Sequence, residues 1–119
     1  MLYTIEHMEI SANDLTEAGT FYAAVFGFAV EDHPQDNYTI LTIGDGEPNI
    51  ALIQVSENNP AGRVVPYFTT GDVAATLANV AAAGGTTIME ATSIPNVGDV
   101  GMFTDPTGNV LGVWKPARS

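Results

Sequence analysis

Asp14-Leu15-Thr16-Glu17-Ala18-Gly19-Thr20-Phe21-Tyr22-Ala23-Ala24-Val25-Phe26-Gly27 is the stretch on which the fold turns, because its pattern returns 58 residues later. The echo is Asp72-Val73-Ala74-Ala75-Thr76-Leu77-Ala78-Asn79-Val80-Ala81-Ala82-Ala83-Gly84-Gly85. In the first copy a capping Asp precedes apolar residues Leu15, Ala18, Tyr22 and Val25, which recur every three to four positions, and Gly27 closes the run. Glu17 stands where a capping box needs it. This predicts an amphipathic helix, with Phe21 and Phe26 widening its buried stripe. The shift lays Asp14 on Asp72, Leu15 on Val73, Tyr22 on Val80 and Gly27 on Gly85, so the chain contains an internal repeat.

Outward from the helices, short runs rich in β-branched and apolar residues read as strands. Leu2 to Ser11 leads into the Ser11-Ala12-Asn13-Asp14 turn. Phe28 to Glu31, Tyr38 to Ile43 and Asn49 to Val55 follow, separated by His33-Pro34 and by Gly44-Asp45-Gly46-Glu47-Pro48. After the second helix, strands are expected near Thr86 to Glu90, Val100 to Asp105 and Asn109 to Trp114, with Val64 to Thr70 before it. Each half is therefore βαβββ. Module 1 spans approximately 1–56, a turn-rich linker 57–63, and module 2 approximately 64–119, within a single α+β domain at 1–119. One helix for every three or four strands argues for a mostly antiparallel sheet rather than a parallel βαβ array.

Composition narrows the partners. The chain has 119 residues, 45% hydrophobic and only 14% charged, which is globular rather than disordered, and a domain this long buries roughly two-thirds of its unfolded surface. Fourteen acidic residues face Arg63, Lys115 and Arg118, for a formal net charge of −11. Such a field repels phosphate, so neither nucleic acid nor an anionic membrane is an expected partner; the acidic bias reads as solubility or tolerance of salt. Without cysteine there is no disulfide, thiolate metal site or cysteine nucleophile. The opening residues lack the basic start and apolar run of a signal peptide, and no stretch is long enough to span a bilayer, so a cytoplasmic location is expected.

Ile5-Glu6-His7-Met8-Glu9-Ile10, followed by Asp14-Leu15 and Phe21-Tyr22-Ala23-Ala24-Val25-Phe26-Gly27-Phe28, resembles the first module of glyoxalase and bleomycin-resistance proteins, the vicinal oxygen chelate superfamily that includes dioxygenases. Phe103-Thr104-Asp105-Pro106-Thr107-Gly108-Asn109 through Trp114 resembles their last hairpin. The turn has its own physical logic, since Pro106 presets φ, Asp105 can bond forward and Gly108 permits a positive φ. The resemblance implies two modules whose sheets curl around a cavity, and pairing into homodimers.

It also implies four metal-ligand positions, one near the start and one near the end of each module. The first falls on His7. The second falls late in the fourth strand, where Gln54 is a neutral amide. The third falls on Val65 or Pro66 and the fourth on Gly112, and none of these side chains has a donor atom. A dication left with an imidazole and an amide lacks both ligands and charge compensation. No metal and no cofactor is expected, with His7 and Gln54 the candidates were one present, and Glu9, two residues from His7 on the same strand face, the carboxylate that could join them.

What remains for chemistry is His7 with Glu9 as a possible base and its orienting neighbour. Period-two counting offers Ser11, Leu52, Gln54, Val110 and Trp114 as companions on that face, with Phe68 and Met102 beside them. Gln54, Phe68, Met102 and Trp114 are thus the expected ligand-binding residues, an apolar wall with a few polar points. His33 reads as a loop residue, and Asp14, Asp72 and Asp105 as caps and turn. The expectation is a metal-independent binder of a small apolar or aromatic molecule. Two alternatives stay open: a metal-dependent lyase, isomerase or dioxygenase using His7, and a dimeric interaction module with no ligand.

Overall fold

A computed structural model of the chain describes residues 3–44 and 49–117. The described elements run β1 (Thr4–Ala12), α1 (Leu15–Phe26), β2 (Ala29–His33), a 3-10 turn (Pro34–Asp36), β3 (Tyr38–Thr42), β4 (Asn49–Gln54), β5 (Val64–Thr69), α2 (Val73–Ala82), β6 (Thr86–Ile94), β7 (Gly98–Thr104) and β8 (Val110–Pro116). This is the expected α+β order, twice strand-helix-strand-strand-strand. The turn expected at Gly44 to Pro48 lies, from Asp45 on, outside the described residues. No helix among those described is long and apolar enough to cross a membrane.

Two compact units emerge, Glu6–Val65 and Met1–Ile5 with Pro66–Ser119. In the first the strand order is β2-β3-β4-β1, and in the second β5-β8-β7-β6. The outer pairs β2–β3, β3–β4, β6–β7 and β7–β8 are antiparallel, as adjacent strands on short turns must be. The last strand of each unit instead returns beside its first, making β1–β4 and β5–β8 parallel. The strands of each unit are therefore mixed in direction, with antiparallel pairs in the majority.

Both helices start on the predicted caps. Asp14 is extended, at φ −135° and ψ 108°, and its carboxylate accepts the Glu17 N–H at 3.0 Å. Asp72 accepts the Ala75 N–H at 3.0 Å, the same bond 58 residues on. Gly27 adopts the left-handed φ of 73° and donates its N–H to the Ala23 carbonyl, which ends α1.

Each unit builds its core between one helix and one face of its sheet. In the first, Ala12, Leu41, Ile50 and Leu52 are buried, with Met8, Ile10, Leu15, Ala18, Tyr22 and Phe28 packed on them. In the second, Val73, Leu77 and Val113 are buried under Phe68 and Phe103. Gly101 is required at this seam, since a β-carbon there would lie 2.9 Å from Leu77 and 3.0 Å from Val73.

One expectation about α1 fails. Phe21, Val25 and Phe26 are 57%, 55% and 60% exposed rather than buried. The stripe that meets the sheet is Leu15, Ala18 and Tyr22. At 100° per residue Phe21 lies about 90° around the helix from the middle of that stripe, Val25 lies at its edge about 50° away, and Phe26 falls in the last turn, where its ring stacks on Phe28 and Tyr22.

Candidate functional site

On β1, Met8, Ile10 and Ala12 face α1, so His7, Glu9 and Ser11 point to the opposite face of the sheet. The parallel register sets His7 beside Asn49, Glu9 beside Ala51 and Ser11 beside Ile53. The Asn49 side-chain carbonyl accepts a hydrogen bond from His7 Nδ1 at 2.5 Å. Because that oxygen can only accept, the proton of a neutral ring resides on Nδ1, and Nε2 carries the lone pair. Asn49 was not singled out from the sequence: the pairing of two strands more than forty residues apart brings it to His7, and no local signal marks it.

The same register corrects the expected companions of His7. Gln54 pairs with Ala12, on the helix side of the sheet, and Leu52 belongs to the core there. The Gln54 amide donates to the Asn13 carbonyl at 2.8 Å, next to the start of α1. Counting by twos had the period right, but β4 stands one residue out of phase with that count, and a one-residue slip exchanges faces. Gln54 is therefore not placed to share a ligand with His7.

Further across this unit, Glu31 and His33 fall on the same face as His7 by register through β3 and β4. His33 ends β2 rather than lying in a loop. Its Nε2 lies 2.6 Å from Glu31, and its ring stacks on Tyr38 at 4.5 Å. With β4 and β3 between, and His33 in line with Ser11 rather than with His7, the two rings stand roughly 20 Å apart, too far for one group to act on the other's ligand.

In the second unit, Phe68 pairs with Val113 and joins the cluster against α2. It is a core residue on the opposite face from Trp114, which corrects its placement among the ligand-facing residues. Tyr67 and Thr69 occupy the other face, paired with Gly112 and Trp114. Antiparallel pairing with β7 adds Met102 beside Gly112 and Val100 beside Trp114. Met102 and Trp114 do share a face. The indole N–H of Trp114 donates to the Val97 carbonyl at 2.8 Å, which fixes the ring, and the hydroxyls of Thr4, on β1, and Thr69, on β5, are hydrogen-bonded to each other.

Tyr67 is, after Asn49, the second residue that sequence reasoning missed. It is buried, and a β-carbon built on Gly112 would come within 2.3 Å of its ring. The phenol thus fills the volume that any side chain at position 112 would need. Its signal in the sequence was a glycine with no turn to make, in the middle of a strand, which marks close approach by another group.

These placements test the four-ligand arrangement. His7 offers an imidazole; Gln54 is on the wrong face; Val65 and Pro66 carry only carbon; Gly112 has a tyrosine ring over it. Among the described residues no three His, Cys, Asp or Glu side chains converge as a cation site. The donors present do not fit a divalent metal held in the manner of the family's enzymes.

Comparison with known proteins follows the fold. Residues 4–113 match the model of the Glyoxalase/Bleomycin resistance protein/Dioxygenase superfamily. The chain is 38% identical over 100 residues to CFP32 of Mycobacterium tuberculosis (strain CDC 1551 / Oshkosh), whose name provisionally marks it as a glyoxylase; the match covers 82% of this chain and 38% of that protein. It is 26% identical over 124 residues to the anthracycline biosynthesis protein DauV of Streptomyces sp. (strain C5), covering 90% and 45%. The chain therefore spans less than half the length of these curated relatives. Among solved structures, a Streptomyces coelicolor methylmalonyl-CoA epimerase aligns with a TM-score of 0.75 at 20% identity, covering 98% of this chain and 96% of that one. The hypothetical protein BH1468 from Bacillus halodurans C-125 aligns at 0.74 and 16%, covering 100% and 98%. At these identities the structural likeness concerns the fold alone.

Proposed function

The chain belongs to the glyoxalase/bleomycin resistance protein/dioxygenase superfamily, and within it we propose a protein that binds a small apolar or aromatic molecule without a metal ion. The observation that carries this reading is the Tyr67 ring over Gly112. A position from which a carboxylate would have to reach a cation is sealed by an aromatic side chain, and the exchange substitutes apolar surface for charge.

The face of the second unit suits such a ligand. Trp114, Met102 and Val100 present an apolar surface beside the Tyr67 ring, and Trp114 is held by its bond to Val97, so little freedom is lost on stacking. DauV is named for anthracycline biosynthesis, and an anthracycline is a flat fused-ring molecule; that name supports an aromatic ligand, while the activity of the longer relatives remains theirs.

Titration calorimetry with zinc, nickel, manganese and ferrous ions should show no tight stoichiometric site, and a submicromolar one would overturn the proposal. Thermal-shift screening of aromatic metabolites should raise Tm for the native chain and not for Trp114→Ala, because ligand stabilisation follows saturation.

A second reading, proton transfer by His7, is favoured by the Asn49 bond. With the proton held at Nδ1, Nε2 can accept one from an acidic C–H or O–H of a bound molecule, the imidazolium then being stabilised by the same Asn49 oxygen. His7→Ala should abolish any turnover found while leaving aromatic binding intact; unchanged turnover would remove this reading.

A further inference from the structure

We propose that the turn between β6 and β7 orients the Trp114 ring for its ligand, with Asn96 and Gly98 as positioning residues; this rests on the aromatic-binding role proposed for Trp114. Between Ile94 and Val97 the chain reverses on a hydrogen bond from the Val97 N–H to the Ile94 carbonyl at 3.0 Å. Pro95 presets φ at the second position of that turn and Asn96 supplies a positive φ of 66° at the third, the pattern of a type II turn. The Val97 carbonyl then accepts two bonds, one from the Ala117 N–H at 3.1 Å and one from the Trp114 indole N–H at 2.8 Å. A carbonyl oxygen has two lone pairs. With one of them committed to the main chain just past β8, the direction of the other is set, and the indole follows it.

Gly98 brings the two strand ends together. It adopts φ 121° and pairs with Pro116, and a β-carbon there would stand 2.7 Å from the Ala117 nitrogen and 2.9 Å from the Pro116 carbonyl carbon. A glycine is therefore the condition for the main chain after β8 to approach closely enough for Ala117 to reach Val97. The Val97 side chain takes no part, being 43% exposed, so the role lies in the main chain and in the residues that bend it. A ring fixed before a ligand arrives spares the loss of side-chain freedom that binding otherwise exacts. A flat ligand gains most, because stacking requires the ring in one plane.

Trp114 is the chain's single tryptophan, so its fluorescence and its indole N–H resonance report on this device alone. Asn96→Val, which puts a β-branched residue at a positive φ, should increase acrylamide quenching and move the indole N–H resonance, while Asn96→Gly and Val97→Ala keep both as in the native chain. Binding of 1,4-dihydroxyanthraquinone, followed by its visible absorbance, should weaken about two- to tenfold in Asn96→Val and not in Asn96→Gly. Replacing Trp114 by β-(3-benzothienyl)alanine, which keeps the shape and removes the N–H, should weaken the probe by a similar factor with the turn untouched, so the test stands even if Asn96→Val does not fold. Native quenching and resonance in Asn96→Val, equal weakening in Asn96→Gly, or undiminished binding by the benzothienyl variant would each overturn the turn's role. No binding of the probe by the native chain would instead remove the aromatic-binding reading, and the advantage claimed for the turn with it.

Discussion

The ring of Tyr67 lies 2.3 to 2.7 Å from where a β-carbon at Gly112 would stand, on neighbouring parallel strands of one sheet. Each residue is the condition for the other. The aromatic ring needs a strand neighbour with no side chain, and the glycine, which weakens a strand by itself, is stabilised by the ring packed over it.

A thermodynamic cycle should expose that dependence. Gly112→Ala forces the buried ring aside and is expected to cost about 1–3 kcal/mol. Tyr67→Ala leaves a cavity and is expected to cost about 3–5 kcal/mol. In the Tyr67→Ala background Gly112→Ala should become neutral or favourable, giving a coupling energy of more than about 1 kcal/mol in urea denaturation. Additive losses would show that the two side chains do not contend for the same space.

Asn49 should govern the tautomer of His7. Nitrogen-15 NMR of the native imidazole is expected to show the proton on Nδ1 at neutral ring charge, and Asn49→Ala should shift the ring toward the Nε2–H form. The lost bond should cost about 0.5–1.5 kcal/mol. A native ring already protonated on Nε2 would contradict the geometry.

The two capping aspartates offer an additivity test. Asp14→Ala and Asp72→Ala should each cost about 1 kcal/mol, because each leaves an N–H of its first helical turn without its partner. They serve different helices in different units and share no partner, so the double variant should lose the sum within about 0.5 kcal/mol.

Asp105 predicts a feature of the acid limb. Its carboxylate accepts the side-chain amide and backbone N–H of Asn109 and the N–H groups of Gly108 and Thr107, and these bonds hold its pKa below the ordinary 3.8. A lowered folded-state value means that the contribution to stability is fully present above the unfolded value and is lost as pH falls through the folded one. Carboxyl NMR titration should find the midpoint below 3.8, and Asp105→Asn should flatten the loss of stability in that acid range. A midpoint at or above the ordinary value would contradict the hydrogen-bonded turn.

Much of this was legible in one dimension because it rests on local chemistry. Asp14 and Asp72 cap because a short carboxylate reaches an N–H three residues on, and Gly27 stops a helix because it tolerates a left-handed φ; these need no distant partner. The duplicated order and the family followed from such signals. The pairings of the site did not. Whether Gln54 or Asn49 lies beside His7 depends on a register between strands far apart in sequence, and one step of slip exchanges the faces.

The sequence alone determined where the helices begin and end, that each half repeats one plan, and that His7 sits on a strand with Glu9 two residues away, since caps, glycines and alternation act over a few bonds. Only the tertiary structure decided that Tyr67 covers Gly112, that Asn49 holds His7, that Phe68 is core, and that Phe21 and Val25 face outward. Those outcomes depend on which surfaces meet across long loops, and packing at that range is set by the whole fold rather than by any neighbour in the chain.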